Sequence, residues 1–260
     1  MQKILKYSLY DLIRSRWMFF YFGFYLIFTL GLFWLSPNLS KVVISLMNVV
    51  LVLVPLIATM FGVMYYYNSR EFTELLLAQP LRRRDIFLGQ YLAVAGSLAL
   101  CLVAGTGLPF LLFGGLGSAE MGHFLTLLGV GLALSFVFSG LAFYIALRNE
   151  NRIRGFGLAI LLWLVLAVAY DGFFLLLLSL FRDYPLEQFA LGASLFNPID
   201  LSRILVVLQL DVAALMGLTG AVFQKFLGTS LGIAVALGVL LLWVSVPLGS
   251  IVRAAARKDF

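Results

Sequence analysis

The chain has 260 residues, 63% of them hydrophobic and only 12% charged, with a mean hydropathy of +1.05 and a formal charge of +6. A soluble domain carries about twice that share of charged residues, so composition excludes one, and the length leaves no room for a large extramembrane domain. One cysteine, Cys101, and one histidine, His123, exclude an internal disulfide, a cysteine-built metal centre and a histidine cluster.

The first residues repeat as an amphipathic helix does. Leu5, Leu9 and Leu12 share one face, with Lys3, Lys6, Tyr10 and Arg14 on the other. Such a helix lies along the cytoplasmic membrane surface; a plain extension of the first span is the alternative. Six apolar runs then follow, each long enough to cross roughly 30 Å of hydrocarbon. They lie near Trp17–Leu35, Val42–Tyr65, Ile86–Phe113, Phe124–Ala146, Phe156–Phe181 and Thr229–Val252. No small-residue cleavage site follows the first run, so no cleaved signal peptide is expected.

Lys and Arg set the expected orientation. Fourteen of the eighteen flank the first span's start, the 68–85 loop, the turn at Arg148–Arg154 and the end of the last span; only Lys41, Arg182, Arg203 and Lys225 lie opposite. Both termini and these loops are therefore expected in the cytoplasm of a bacterial inner-membrane protein.

Between the fifth and sixth spans, residues 182–228 form the largest periplasmic piece. Asn197-Pro198-Ile199-Asp200 reads as a helix start: Asn as N-cap, Pro in the first turn, an acid at the positive end of the dipole. The helix that follows, to about Leu210, is too short to span. Helices on the outer surface, or packed against the bundle mouth, are expected. No internal repeat stands out, nor the paired broken helices of a secondary transporter.

The 68–85 loop carries the most chemistry. Glu71 and Glu74 precede Leu75, Leu76 and Leu77, Pro80 breaks the helix, Arg82, Arg83 and Arg84 form a cationic patch, and Asp85 opens the next span. A short helix with an apolar face and a ring of arginines suits docking of a cytoplasmic partner; arginines that only anchor the loop are the plainer reading. Asp171 stands within the fifth span, where an acid is costly and faces a pathway or a partner. It either lines a cavity or pairs with Arg182 or Arg203. Met60 and Met64, at i and i+4, are the best-placed thioethers for Cu(I) among scattered methionines that otherwise serve packing. Tyr65, Tyr66 and Tyr67 read as an interfacial belt. Ser139-Gly140 lacks a base within reach, since His123 is some 24 Å away along the same helix. The Gly-x-x-x-x-Gly-Lys-Ser/Thr run of a P-loop is absent, so any ATP hydrolysis must come from another subunit.

The order of acid, apolar triplet, proline, arginine cluster and new span resembles the coupling helix of type-2 ABC transporter permeases. Glu74, Leu75, Leu76, Leu77, Pro80 and Arg83 match that family's run, while Glu71 and Phe72 stand where Gly and Thr are usual. A narrower resemblance is to the NosY-like permeases of nitrous-oxide-reductase maturation. It rests on the same loop, the Tyr170-Asp171 pair and the Asn-Pro-x-Asp-x-x-Arg run at Asn197, Pro198, Asp200 and Arg203. The resemblance implies a cytoplasmic ATPase that uses ATP, a homodimer, a periplasmic partner at Asn197–Arg203, and copper- or sulfur-related cargo for a copper enzyme. It implies no cofactor or metal held by the chain itself and no nucleic acid. An ion- or proton-coupled carrier using Asp171, and a membrane scaffold recruiting periplasmic proteins, are the rival readings. The fold expected on all of them is an all-α six-span membrane bundle.

Overall fold

In a bilayer, an apolar segment has to satisfy every backbone polar group internally, and a lone segment does so only as a helix. The computed structural model describes residues 1–36, 38–113, 117, 118, 120–181, 192–209 and 230–257. Its principal helices are α1 (Gln2–Ile13), α2 (Arg16–Leu35), α3 (Leu39–Asn68), α4 (Arg70–Leu77), α5 (Arg83–Leu112) and α6 (Met121–Arg148). Then come α7 (Arg152–Leu164), a π-helical turn at Val165–Ala169, α8 (Tyr170–Leu180), α9 (Pro198–Gln209) and α10 (Ser230–Arg257). Among the described residues, six rods are long and apolar enough to cross a membrane: α2, α3, α5, α6, continuous α7–α8, and α10. The protein is an all-α, multi-pass membrane bundle with no strand among the described residues.

Side-chain polarity sets where the helices begin. Asn38 starts α3 three residues earlier than hydropathy suggests, because its Oδ1 accepts from the amides of Ser40 (3.0 Å) and Lys41 (3.4 Å). Asn151 caps α7 in the same way through Ile153 and Arg154. α5 begins at Arg83, so Arg83, Arg84 and Asp85 all lie in its first turn. Asp85 there offsets two cations placed at the unfavourable end of the dipole.

The rods alternate in direction, which gathers their ends into two groups. At one end, here the basic end, sit α1, α4, the turn between α6 and α7, and Arg82–Arg84. At the opposite end Phe33 stacks on Phe113 with centroids 4.9 Å apart, and Ser40 reaches Glu120. α3 and α6 run parallel through the centre. They touch at Gly62, where an added Cβ would stand 2.9 Å from both Ser139 O and Ala142 Cβ; such small residues let membrane helices approach closely. Hydroxyls inside the bundle bond to their own helix: Thr29 to Tyr25 O, Thr59 to Pro55 O, Thr106 to Leu102 O, Ser135 to Gly131 O.

Two short elements pack closely on the spans. α1 is a separate helix, broken from α2 at extended Ser15, and it packs on α5. Its buried stripe is Ile4, Ser8 and Leu12, with Leu5 and Leu9 at the margin. α9 is short, as its sequence predicts, but it is set into the bundle against α3, α6 and α10. It starts beside Leu166 and near Trp243, each roughly 20 Å along its rod, and its far end meets Thr126 through Gln209. Its partners are interior polar groups that periodicity does not reveal. Of the positions considered above, Arg182, Leu210, Lys225 and Thr229 lie outside the described residues, as does most of the 182–228 segment.

Candidate functional site

At the basic end, α4 follows α3 after a single residue, Ser69. Thr73 supports that corner twice: its amide and its hydroxyl both donate to Ser69 O, at 2.9 and 2.8 Å. Glu71 lies in the first turn, where the dipole favours an acid. Arg70 and Glu74 pair at 3.0 Å, both more than half exposed, and such a surface pair contributes little. The helix ends at Leu77, before Pro80. Glu71, Glu74, Leu75, Pro80, Arg82, Arg83 and Arg84 are exposed, while Leu76, Leu77 and Asp85 are half-buried. Leu75 is 69% exposed at a helix that barely touches the bundle. The exposed coupling residues are thus acids and a leucine on α4 and arginines where α5 begins.

That surface is fixed to the bundle at two points. Phe72 stacks on Tyr7 of α1, centroids 5.3 Å apart, above an open groove of about 840 Å³ between α1 and α4. Thr73, the one buried residue of α4, accepts a 2.8 Å hydrogen bond from Gln90 Nε2 on α5. Sequence reasoning missed Gln90. The available signal was a glutamine in an apolar run, where a polar side chain needs an interior partner. Nearby, Tyr67 donates to Asn149 O at 2.7 Å and ties α3 to the turn before α7.

The second constellation joins α8 to α9. Asn197 caps α9 by accepting from Ile199 N at 3.0 Å. Its Nδ2 donates to Leu166 O, within the π turn, at 2.8 Å, and to Asp200 Oδ2 at 3.2 Å. Arg203 Nη1 donates to Asp171 Oδ2 at 2.9 Å and to Asp200 Oδ1 at 3.2 Å. Tyr170 donates to Ala193 O at 2.5 Å. Of the two partners weighed for Asp171, Arg203 on α9 is bonded to it, and Arg182 lies outside the described residues. Asn197 is fully buried and Pro198 is buried too, so neither is itself available to an outside partner. The Asp171 and Arg203 side chains remain 31% and 32% exposed.

Met60 and Met64 stand apart from this cluster. They line a groove of about 320 Å³ with Trp17, Phe20 and Phe156. Phe156 is roughly 22 Å along its rod from Asp171. Among the described residues, no three His, Cys, Asp or Glu side chains group to hold a metal. His123 pairs with Glu120 at 2.8 Å, and Ser139 bonds Ser135 O. The Ser40 hydroxyl, and then His123, hold the Glu120 carboxyl below its usual range.

No family model matches the chain. Among known proteins it is 26% identical, over 230 residues, to a probable ABC transporter permease protein NosY of Pseudomonas aeruginosa, an alignment that covers 82% of this chain and 84% of the relative. It is 27% identical over 240 residues to the corresponding protein of Stutzerimonas stutzeri, covering 84% and 80%. The chain is NosY-like. The likeness runs through most of this NosY-like chain and includes neither the geometry of the α4 surface nor that of the α8–α9 cluster, which the structure supplies.

Proposed function

We propose that this chain is the membrane permease subunit of an ABC transporter, driven by a separate cytoplasmic ATPase that docks on α4 and Arg82–Arg84. The observation that carries the reading is α4 itself: a two-turn helix between two spans, exposing Leu75, Glu71 and Glu74 beside a row of arginines. A loop that merely joined α3 to α5 would need no such helix. The named relatives support the same reading, and the missing P-loop assigns ATP hydrolysis to the partner.

In this proposal the basic end and both termini face the cytoplasm of the inner membrane, as the Lys and Arg distribution favours. Two copies pair, two ATPases close on ATP, and differing contacts of α4 with the two ATPase states shift the bundle between two arrangements. The exposed α7–α8 rod supports a homodimer, because a half-exposed ion pair at membrane depth calls for cover by protein or water. The finer role is in maturation of a periplasmic copper enzyme, nitrous oxide reductase. It involves copper- or sulfur-related cargo, with a periplasmic partner meeting the end of the bundle that α9 braces. The NosY likeness supports this role.

The test is purification of the tagged chain from its native membranes in mild detergent, with identification of what accompanies it. A stoichiometric P-loop ATPase is expected. Charge reversal of all three residues, Arg82→Glu, Arg83→Glu and Arg84→Glu, is expected to reduce its recovery at least about tenfold, the effect of losing roughly 1.4 kcal/mol of binding, without changing the melting temperature. A chain that purifies alone under conditions preserving other membrane complexes would overturn the reading.

A further inference from the structure

Besides its direct continuity with α3 through Ser69, α4 is held by two side chains, and both lead to neighbouring residues of α5. The first is Thr73, its one buried residue, bonded to Gln90. The second is Phe72, stacked on Tyr7 of α1; α1 in turn rests on Gly89, where an added Cβ would meet Ile4 Cγ2 at 3.1 Å. From there α5 runs as one helix to Leu112 at the opposite end.

The hydrogen bond has a fixed sense. The Thr73 hydroxyl already donates to Ser69 O, so towards Gln90 it accepts, and the glutamine presents its amide nitrogen. Gln90 Oε1 is then left buried with no hydrogen-bond partner. Buried polar atoms are nearly always satisfied. An orphan acceptor raises the free energy of this arrangement and favours any other that brings it a donor. The joint between α4 and α5 therefore has a reason to exist in two states.

We propose that the Thr73–Gln90 hydrogen bond is the joint through which displacement of α4 is passed to α5 and so to the opposite end of the bundle. The proposal rests on α4 being the ATPase-docking element. Gln90 and Thr73 act as positioning residues: neither touches cargo or nucleotide. A rigid α5 converts a movement at its first turns into one at its last, and the buried polar contact makes that movement follow α4 rather than slide past it.

The experiment uses the full chain copurified with its ATPase in lipid nanodiscs, in a Cys101→Ala background carrying Leu112→Cys. Two quantities are read: ATPase recovery, and the change in labelling rate of the cysteine at position 112 by a membrane-impermeant maleimide when non-hydrolysable ATP is added. The wild-type pair should recover ATPase and respond to nucleotide. Thr73→Val and Gln90→Leu should keep ATPase recovery and lose the response about tenfold, the shift expected from one buried hydrogen bond. Thr73→Ser, which keeps the hydroxyl, should restore it. The double variant, an apolar pair with no orphan atom, guards against misfolding of either single one and should dock yet not respond. A normal response in Thr73→Val and Gln90→Leu, or a wild-type response absent despite docking, overturns the joint and leaves the docking surface standing. Failure of the wild-type chain to recover any ATPase overturns both.

Discussion

At the scale of single residues, the sequence exposes charges well and their partners poorly. Asp171 was identifiable as a costly acid in a span, and Arg203 as one of two candidate partners. The shared contact of Arg203 with Asp200 was not, because it depends on how deep α9 sits. Gln90 and Thr73 were invisible as a pair, since seventeen residues and a turn separate them. At the opposite end, Glu120 gives a prediction with a defined sign. Ser40 and then His123 hold its carboxyl below the usual range, so this contact stabilises the fold above the unfolded Glu value of about 4.3 and is lost as pH falls through the lower folded value. Ser40→Ala should therefore lower the melting temperature most at neutral pH, and the deficit should shrink as the medium is acidified below about pH 4. A deficit as large in acid as at neutrality would show that the ionised carboxylate is not what Ser40 serves.

Among the elements, α4 and α9 were both recognisable by their ends: acids and proline for one, Asn-Pro-x-Asp for the other. Their depth was not. Local signals specify where a helix starts, whereas its position in the bundle follows from interior partners such as Leu166 O and Asp171. The cap of α9 is the sharpest case, because Asn197 serves two functions with two ends of one amide. Its oxygen caps α9 and its nitrogen holds the π turn. Asn197→Ser keeps a capping oxygen and loses the amide donor; Asn197→Ala loses both. The serine variant should melt below the wild type, and the alanine variant lower again by about 1 kcal/mol of cap stabilisation, measured by thermal unfolding in one detergent. Equal melting of the two variants would mean that capping contributes nothing to α9 in its buried setting.

Taken whole, the bundle is lopsided. The most apolar windows of α5 and α6 are 67% buried, whereas none of the α7–α8 window is. Hydropathy cannot distinguish these, since a helix facing lipid and one facing protein read alike, and it was equally silent on which face awaits a second copy. If the α7–α8 rod meets its twin, then in a Cys101→Ala background Leu161→Cys, at a position 57% exposed, should give an oxidative cross-linked dimer in membranes. Leu242→Cys on α10, 59% exposed, should not. The reverse pattern would place the pairing on α10. The π turn at Val165–Ala169 has a different kind of consequence, for how such a chain changes over generations. One residue more per turn rotates everything after it by about 100° relative to a regular α-helix. Asp171 faces Arg203 because that residue is there. Deleting a single residue from the turn would leave the composition, hydropathy and span length almost untouched, yet swing the acid away from α9. Here the gain or loss of one codon is a genetic step that makes or breaks the ion pair while leaving both of its members unchanged.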